Sequence, residues 1–265
     1  MCIRDRFQTI GYSFTDYNGI NPKKEFTGLT NYFDVFQDKW FYNSMAFTGK
    51  SVLLMILLAN VLGFLLALAL NTKIRSRNIL RAIVFCPFVF NNVTVGFIWQ
   101  FLLGRFMTDL YPLTGWKVFN IGWLSDNSLV LYSVVFVKLW QSIGYFMVIY
   151  LAGLQLLPQD PLEAAVIDGC TGIKMIRYIT IPLMKPTAFV CIFLAITESL
   201  NMFPLIMSLT NGGPGHASEN ISLYIYNEAF KSHRMGYASA LAVILTIIMT
   251  IIAGLQMKLT REDAG

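Results

Sequence analysis

Five stretches of the chain stay apolar long enough to cross a bilayer as helices: residues 51–70, 82–103, 129–157, 187–209 and 236–257. A hydrocarbon core about 30 Å thick is spanned by about 20 residues in a helix. The first, second and fifth stretches carry no charge, the third only Lys138 and the fourth only Glu198. Pro87 and Pro204 fall inside two of them. Proline is tolerated in a span where neighbours or water satisfy the freed carbonyls, so each marks a static kink in preference to a hinge. Between the third and fourth stretches the pattern changes to a polar island. Asp160, Pro161 and Glu163 read as an N-cap, a proline at the first helical position and an acid three residues past the cap. A helix is predicted to begin there and to stop at Asp168-Gly169 with a left-handed turn. Thr171 is then placed to cap a second short helix, which carries Lys174 and Arg177 and ends before Pro182. With Ala164 and Ala165 offering almost no side chain, this helix-elbow-helix lets a partner come close to its backbone. The competing reading is an amphipathic connector lying on the membrane surface.

The spacing Glu163-Ala164-Ala165, three residues, Gly169, nine residues, Ile179, one residue, Ile181-Pro182 resembles the EAA loop of binding-protein-dependent ABC importer permeases. Ile181 stands where that family usually has leucine. The resemblance implies an all-α, type I importer permease whose elbow, through Glu163, Ala164, Ala165, Asp168, Gly169, Ile179 and Pro182, receives work from ATPase subunits. Residues Thr210-Asn211-Gly212-Gly213-Pro214-Gly215, a run of turn formers after the fourth stretch, are similar to carbohydrate permeases at the same place. So are the segments 10–19, 26–32, 224–226, 229–230 and 236–241, which narrows the resemblance to sugar importers. It implies as partners a second permease subunit, two copies of a cytoplasmic ATPase that hold the ATP and magnesium, and an extracytoplasmic sugar-binding protein. No cofactor is expected on this chain, which is placed as a multi-pass protein in the cell (inner) membrane of a prokaryote.

Composition agrees with a bilayer protein: 55% of residues are hydrophobic and 13% charged, against about 25% charged in soluble domains. The net charge of +5 points to topology, because the basic residues sit in short loops and form no patch interleaved with aromatics. Nucleic acid is thereby excluded as a partner. Lys73, Arg75, Arg77 and Arg81 in one loop, Lys174, Arg177 and Lys185 at the elbow, and Lys258 and Arg261 in the tail predict that all three are cytoplasmic; the opposite loops hold only Arg105, Lys117, Lys231 and Arg234. The chain then divides into an extracytoplasmic segment 1–45, a membrane domain 46–258 that includes the elbow region 158–186, and a cytoplasmic tail 259–265. That orientation leaves 1–45 outside with no apolar run to carry it across. A first membrane helix is therefore expected to be missing, and residues 1–6 to be a foreign leader.

Ionisable residues at mid-bilayer cost about 2.5–3.5 kcal/mol each on insertion scales, so they mark a pathway or an internal pair. Lys138 and Glu198 lie at similar depth in their stretches and are placed to meet. Gln141, Ser142 and Tyr145 follow Lys138 at i+3, i+4 and i+7, one helical face. The bland alternative is interhelical glue at roughly 1 kcal/mol per residue. The family resemblance implies a substrate pathway at Phe88, Asn92, Lys138, Gln141, Ser142, Tyr145, Ser199 and Asn201, with Glu198 beside it. Either Lys138 and Glu198 neutralise each other or Lys138 holds an acidic or phosphorylated sugar.

Other chemistry is not supported. Gly49-Lys50-Ser51 mimics the end of a phosphate-binding loop, but Ser44 occupies the place of its first glycine and no strand precedes it. Cys2, Cys86, Cys170 and Cys191 lack metal-ligand spacing, and His216 and His233 have no neighbouring nucleophile or second ligand. The chain is not expected to be an enzyme or to hold a metal. Two other readings remain: an ABC permease for a non-sugar solute, and an ion-coupled secondary transporter with Lys138 and Glu198 as its relay.

Overall fold

Helices make up most of the computed structural model, which describes residues 3–21, 24–72 and 75–262. Cys2, Lys73 and tail residues 263–265 lie outside the described residues. In chain order the helices are α1 (Ile3–Tyr12), α2 (Thr30–Gln37), α3 (Lys39–Leu70), α4 (Arg77–Phe85), α5 (Asn92–Gln100), α6 (Met107–Thr114) and α7 (Val130–Gln155). They continue as α8 (Gln159–Ile167), α9 (Ile173–Met175), α10 (Ile181–Leu183), α11 (Lys185–Leu200), α12 (Phe203–Leu209), α13 (Ile221–Tyr226) and α14 (Met235–Glu262). Among the described residues the one extended pairing is a lone bridge between Thr15 and Phe26.

Three of the five predicted spans are unbroken helices long and apolar enough to cross a membrane: α3, α7 and the 235–256 part of α14. The central one is α7, since 67% of its apolar stretch is buried against 22% in α3 and α14. Small residues set how closely its neighbours approach. A Cβ on Gly63 of α3 would lie 2.9 Å from the Phe146 Cβ, and one on Gly144 of α7 would lie 2.3 Å from the Val84 carbonyl oxygen. In the same way α5 meets α12 where Gly96 faces Ser208.

The other two predicted spans, 82–103 and 187–209, are not continuous helices. The first turns through 93° between Arg77–Val89 and Asn92–Thr114, far more than a kink at Pro87. The helix tightens into a turn over Cys86–Val89, Phe90 is extended at φ −75° and ψ 143°, and Asn91 restarts the chain by accepting from the Val93 N–H at 2.9 Å. Proline removes the donor and an asparagine cap supplies the restart. In the second, α11 ends at Leu200, and α12 begins with Pro204 in its first turn, where a missing N–H forfeits no bond.

The elbow forms with three local corrections. Helix α8 starts at Gln159 behind Pro158, so Asp160 lies in the first turn and does not cap it; no side chain does. Pro161 is still accommodated, because the first N–H groups of a helix have no acceptor. Gly169 takes φ +76°, and the N–H groups of Gly169 and Cys170 close on the carbonyls of Val166 and Ala165 at 3.0 and 2.8 Å, the paired bonds that end a helix on a left-handed residue. Thr171 does not cap the next helix; that position is Gly172, at φ 62° and ψ −130°. Nor does the helix end before Pro182. A wide turn over Ile176–Thr180, in which the Ile181 N–H reaches back to the Ile176 carbonyl, joins α9 to α10 and places Pro182 in the first turn of a new register.

Candidate functional site

Both broken spans aim their breaks at the middle of α7, and a cavity of about 480 Å³ opens where they meet. Phe88, Phe90, Asn92, Lys138, Gln141 and Glu198 line it. Lys138 is placed by α7 and Glu198 by the last turn of α11, and their Nζ and Oε2 atoms are 2.6 Å apart. The lysine side chain is 3% exposed and the glutamate 27%, so of the two lining residues the carboxylate is the more open. The same Nζ donates to the Asn92 side-chain oxygen at 3.4 Å. Pairing removes the cost of a lone charge among apolar helices.

The helix break is tied to α7 by a second link, in which the Gln141 Nε2 donates to the Phe90 carbonyl at 3.0 Å. Irregular backbone at membrane depth persists where it is buried in protein or lines a cavity, and Phe90 lines the cavity. The Gln141 Oε1 is buried without a hydrogen-bond partner. Phe88 stacks on Tyr145 with ring centres 4.6 Å apart and planes within 2°.

Of the residues the sequence pointed to, Phe88, Asn92, Lys138, Gln141 and Glu198 come together at the cavity. Ser142, Tyr145, Ser199 and Asn201 are not part of its lining. Ser142 and Ser199 are buried and donate to carbonyls of their own helices, Lys138 and Ala195, at 2.8 and 2.7 Å. Tyr145 backs the Phe88 ring. Asn201 is exposed just beyond the end of α11. Sequence reasoning missed Phe90 and Val93 as lining residues; the signal for them was Asn91, a cap residue after a proline.

At one end of the bundle α8 leads through the elbow to α9 and α10. Glu163, Ala164, Asp168, Gly169 and Pro182 are exposed, Ile179 is half-buried and Ala165 is buried. Val166, Ile167 and Ile173 are 54%, 86% and 82% exposed, an apolar surface beside the Glu163 carboxylate. From α10 the chain bends by 70° directly into α11, with Met184 buried at the corner.

The opposite end is held by a polar knot. Asp38 caps α3 by accepting from the Trp40 N–H at 2.8 Å, and it also accepts from the hydroxyls of Tyr224 and, at 2.6 Å, Tyr237. Burial works against ionisation of Asp38, but the hydrogen bonds from Tyr224, Tyr237 and the backbone outweigh it and hold its carboxyl below the usual range. Burial, and then the Asp38 contact, push the Tyr224 hydroxyl up. Among the described residues no group of three or more His, Cys, Asp or Glu is placed to hold a metal ion.

Residues 59–261 match the family described as binding-protein-dependent transport system inner membrane components. The chain is 37% identical over 255 residues to a probable starch degradation products transport system permease of Thermoanaerobacterium thermosulfurigenes, covering 96% of this chain and 86% of the relative. A multiple sugar-binding transport system permease of Streptococcus mutans is 33% identical, with 97% and 88% covered. Among solved structures, a bacterial ABC transporter that imports the acidic polysaccharide alginate superposes with a TM-score of 0.82 at 21% identity, over 98% of this chain and 90% of that one. That likeness is one of fold.

Proposed function

The chain belongs to the binding-protein-dependent transport system inner membrane components, and on that premise we propose that it is the membrane-spanning permease of an ATP-driven importer whose cargo is a sugar. The cargo rests on the relatives, whose transport systems handle starch degradation products and multiple sugars. One observation carries the working of the site: a single helix joins the elbow to the cavity. Force applied to α8 passes through α9 and α10 to α11, whose 16 residues span about 24 Å and end beside Glu198. Displacing the elbow therefore moves Glu198 relative to Lys138, which α7 holds.

In this reading two copies of a cytoplasmic ATPase, binding ATP and magnesium, dock on α8 around Glu163, Ala164 and Gly169, with the exposed Val166 and Ile167 entering their surface. Ile179 and Pro182 carry the push into α10. An extracytoplasmic sugar-binding protein delivers cargo at the end of the bundle opposite the elbow, and a second permease subunit completes the pathway. The cavity opens outward, takes the sugar, and reopens inward as the ATPases cycle. No cofactor is held by this chain, and its elbow and basic loops face the cytoplasm. Dependence of sugar uptake on ATP in vesicles carrying the assembled transporter tests this reading. An ion-coupled carrier built on Lys138 and Glu198 would need neither the elbow nor an ATPase.

A further inference from the structure

The strongest donor beside the cavity, the Lys138 ammonium, is already engaged, while two acceptors there are not fully matched. The Lys138 ammonium is directed at Glu198 and Asn92. The amide donors of Gln141 are turned to the Phe90 carbonyl, at 3.0 Å. Two acceptors stand beside the unengaged amide N–H groups of Asn91 and Asn92: the Gln141 Oε1, buried and without a partner, and the partly exposed Glu198 carboxylate. A buried acceptor left unmatched costs about 1–3 kcal/mol, so a ligand that fits must bring hydrogen-bond donors. Hydroxyl groups do so. Carboxylates and phosphates bring only acceptors, and they would meet the carboxylate of Glu198 before the ammonium behind it. Phe88, braced by Tyr145, together with Phe90 and Val93, supplies apolar surface for the C–H face of a ring.

We infer that the Lys138–Glu198 pair makes this cavity select uncharged, hydroxyl-rich ligands against anionic ones, with Glu198 and Gln141 as the acceptors that meet ligand hydroxyls. The inference rests on the cavity being the transport site. Lys138 is a positioning residue that cancels the charge of Glu198 and fixes its direction. Removing either partner leaves one uncompensated charge, and selectivity should move toward ligands of the opposite sign.

The test uses the complete permease–ATPase complex in nanodiscs without the binding protein, so that only the membrane site discriminates. Saturation-transfer NMR compares maltotriose, trigalacturonate and the glucosamine trimer as neutral, anionic and cationic probes. Wild type should bind maltotriose and resist displacement by the charged trimers. In Glu198→Gln, affinity for trigalacturonate relative to maltotriose should rise by about tenfold or more. In Lys138→Met the glucosamine trimer should gain instead, which keeps the test open if the first variant fails to assemble. The double variant Lys138→Met/Glu198→Gln should restore the wild-type order. The inference is overturned if trigalacturonate binds wild type as tightly as maltotriose, or if both single variants bind maltotriose with the wild-type order of ligands. Should none of the three probes bind wild type, the assignment of the cavity as a sugar site fails and this inference fails with it.

Discussion

Replacing Gly169 by valine separates the shape of the elbow from its composition. Gly169 sits at φ +76°, and a Cβ added there would meet nothing within 4 Å, so the penalty is confined to the backbone. Forcing a residue with a Cβ into the left-handed region costs about 1–2 kcal/mol, and branching at Cβ places valine at the upper end. The two bonds that close the turn, from Gly169 to Val166 and from Cys170 to Ala165, have to absorb that cost. A loss of this size lowers the ratio of formed to opened elbow about 5–30-fold. The assay is sugar moved per ATP hydrolysed in proteoliposomes holding the complete transporter. The ratio should fall in Gly169→Val with assembly unchanged, and Gly169→Asn should retain most of it, because asparagine tolerates the left-handed region. Wild-type coupling in Gly169→Val, or equal loss in both variants, would refute the backbone argument.

Two further predictions concern the frame around the cavity. Gly144→Ala would place a Cβ 2.3 Å from the Val84 carbonyl oxygen and 2.6 Å from the Phe85 Cα, so α4 must shift. An overpacking cost of about 1–3 kcal/mol should lower the melting temperature of the solubilised complex, and an unchanged melt would contradict the close approach. Asp38→Asn removes the charge from the carboxylate that two tyrosines contact, and protection of amides near the start of α3 from hydrogen exchange should drop. The native carboxyl titrates below its ordinary value, which is about 3.9 in an unfolded chain. Its contribution is therefore complete above that value and is lost as pH falls through the depressed native one. Loss of the same protection near neutral pH in wild type would contradict that assignment.

Much of the frame was legible because bilayer length and helical period leave strong marks. The α3, α7 and α14 spans follow from apolar length. The meeting of Lys138 with Glu198 follows from their depth, and the elbow from Gly169. The two breaks were not legible as breaks, because an apolar run reads the same whether one helix or two carry it. The only sequence mark of the first break is Pro87 followed by Asn91, which caps the restart after the 93° turn. Asn201 is three residues past Glu198 and would share its face in a continuous helix, but α11 ends at Leu200 and takes Asn201 off that face. Ser142 and Ser199 were placed on the pathway by the family resemblance, whereas hydroxyls in apolar helices satisfy themselves on the preceding turn. At the elbow, Asp160 has the chemistry of a cap, but the helix already begins at Gln159.

Whether this chain works as a permease driven by a separate motor is decided most directly by the energy source of transport. Proteoliposomes carrying the complete transporter, with its binding protein outside and ATP sealed within, are assayed for uptake of labelled maltodextrin with and without a protonophore. Uptake should require lumenal ATP and be indifferent to the protonophore. Uptake that persists without ATP and collapses with the ion gradient would contradict the account.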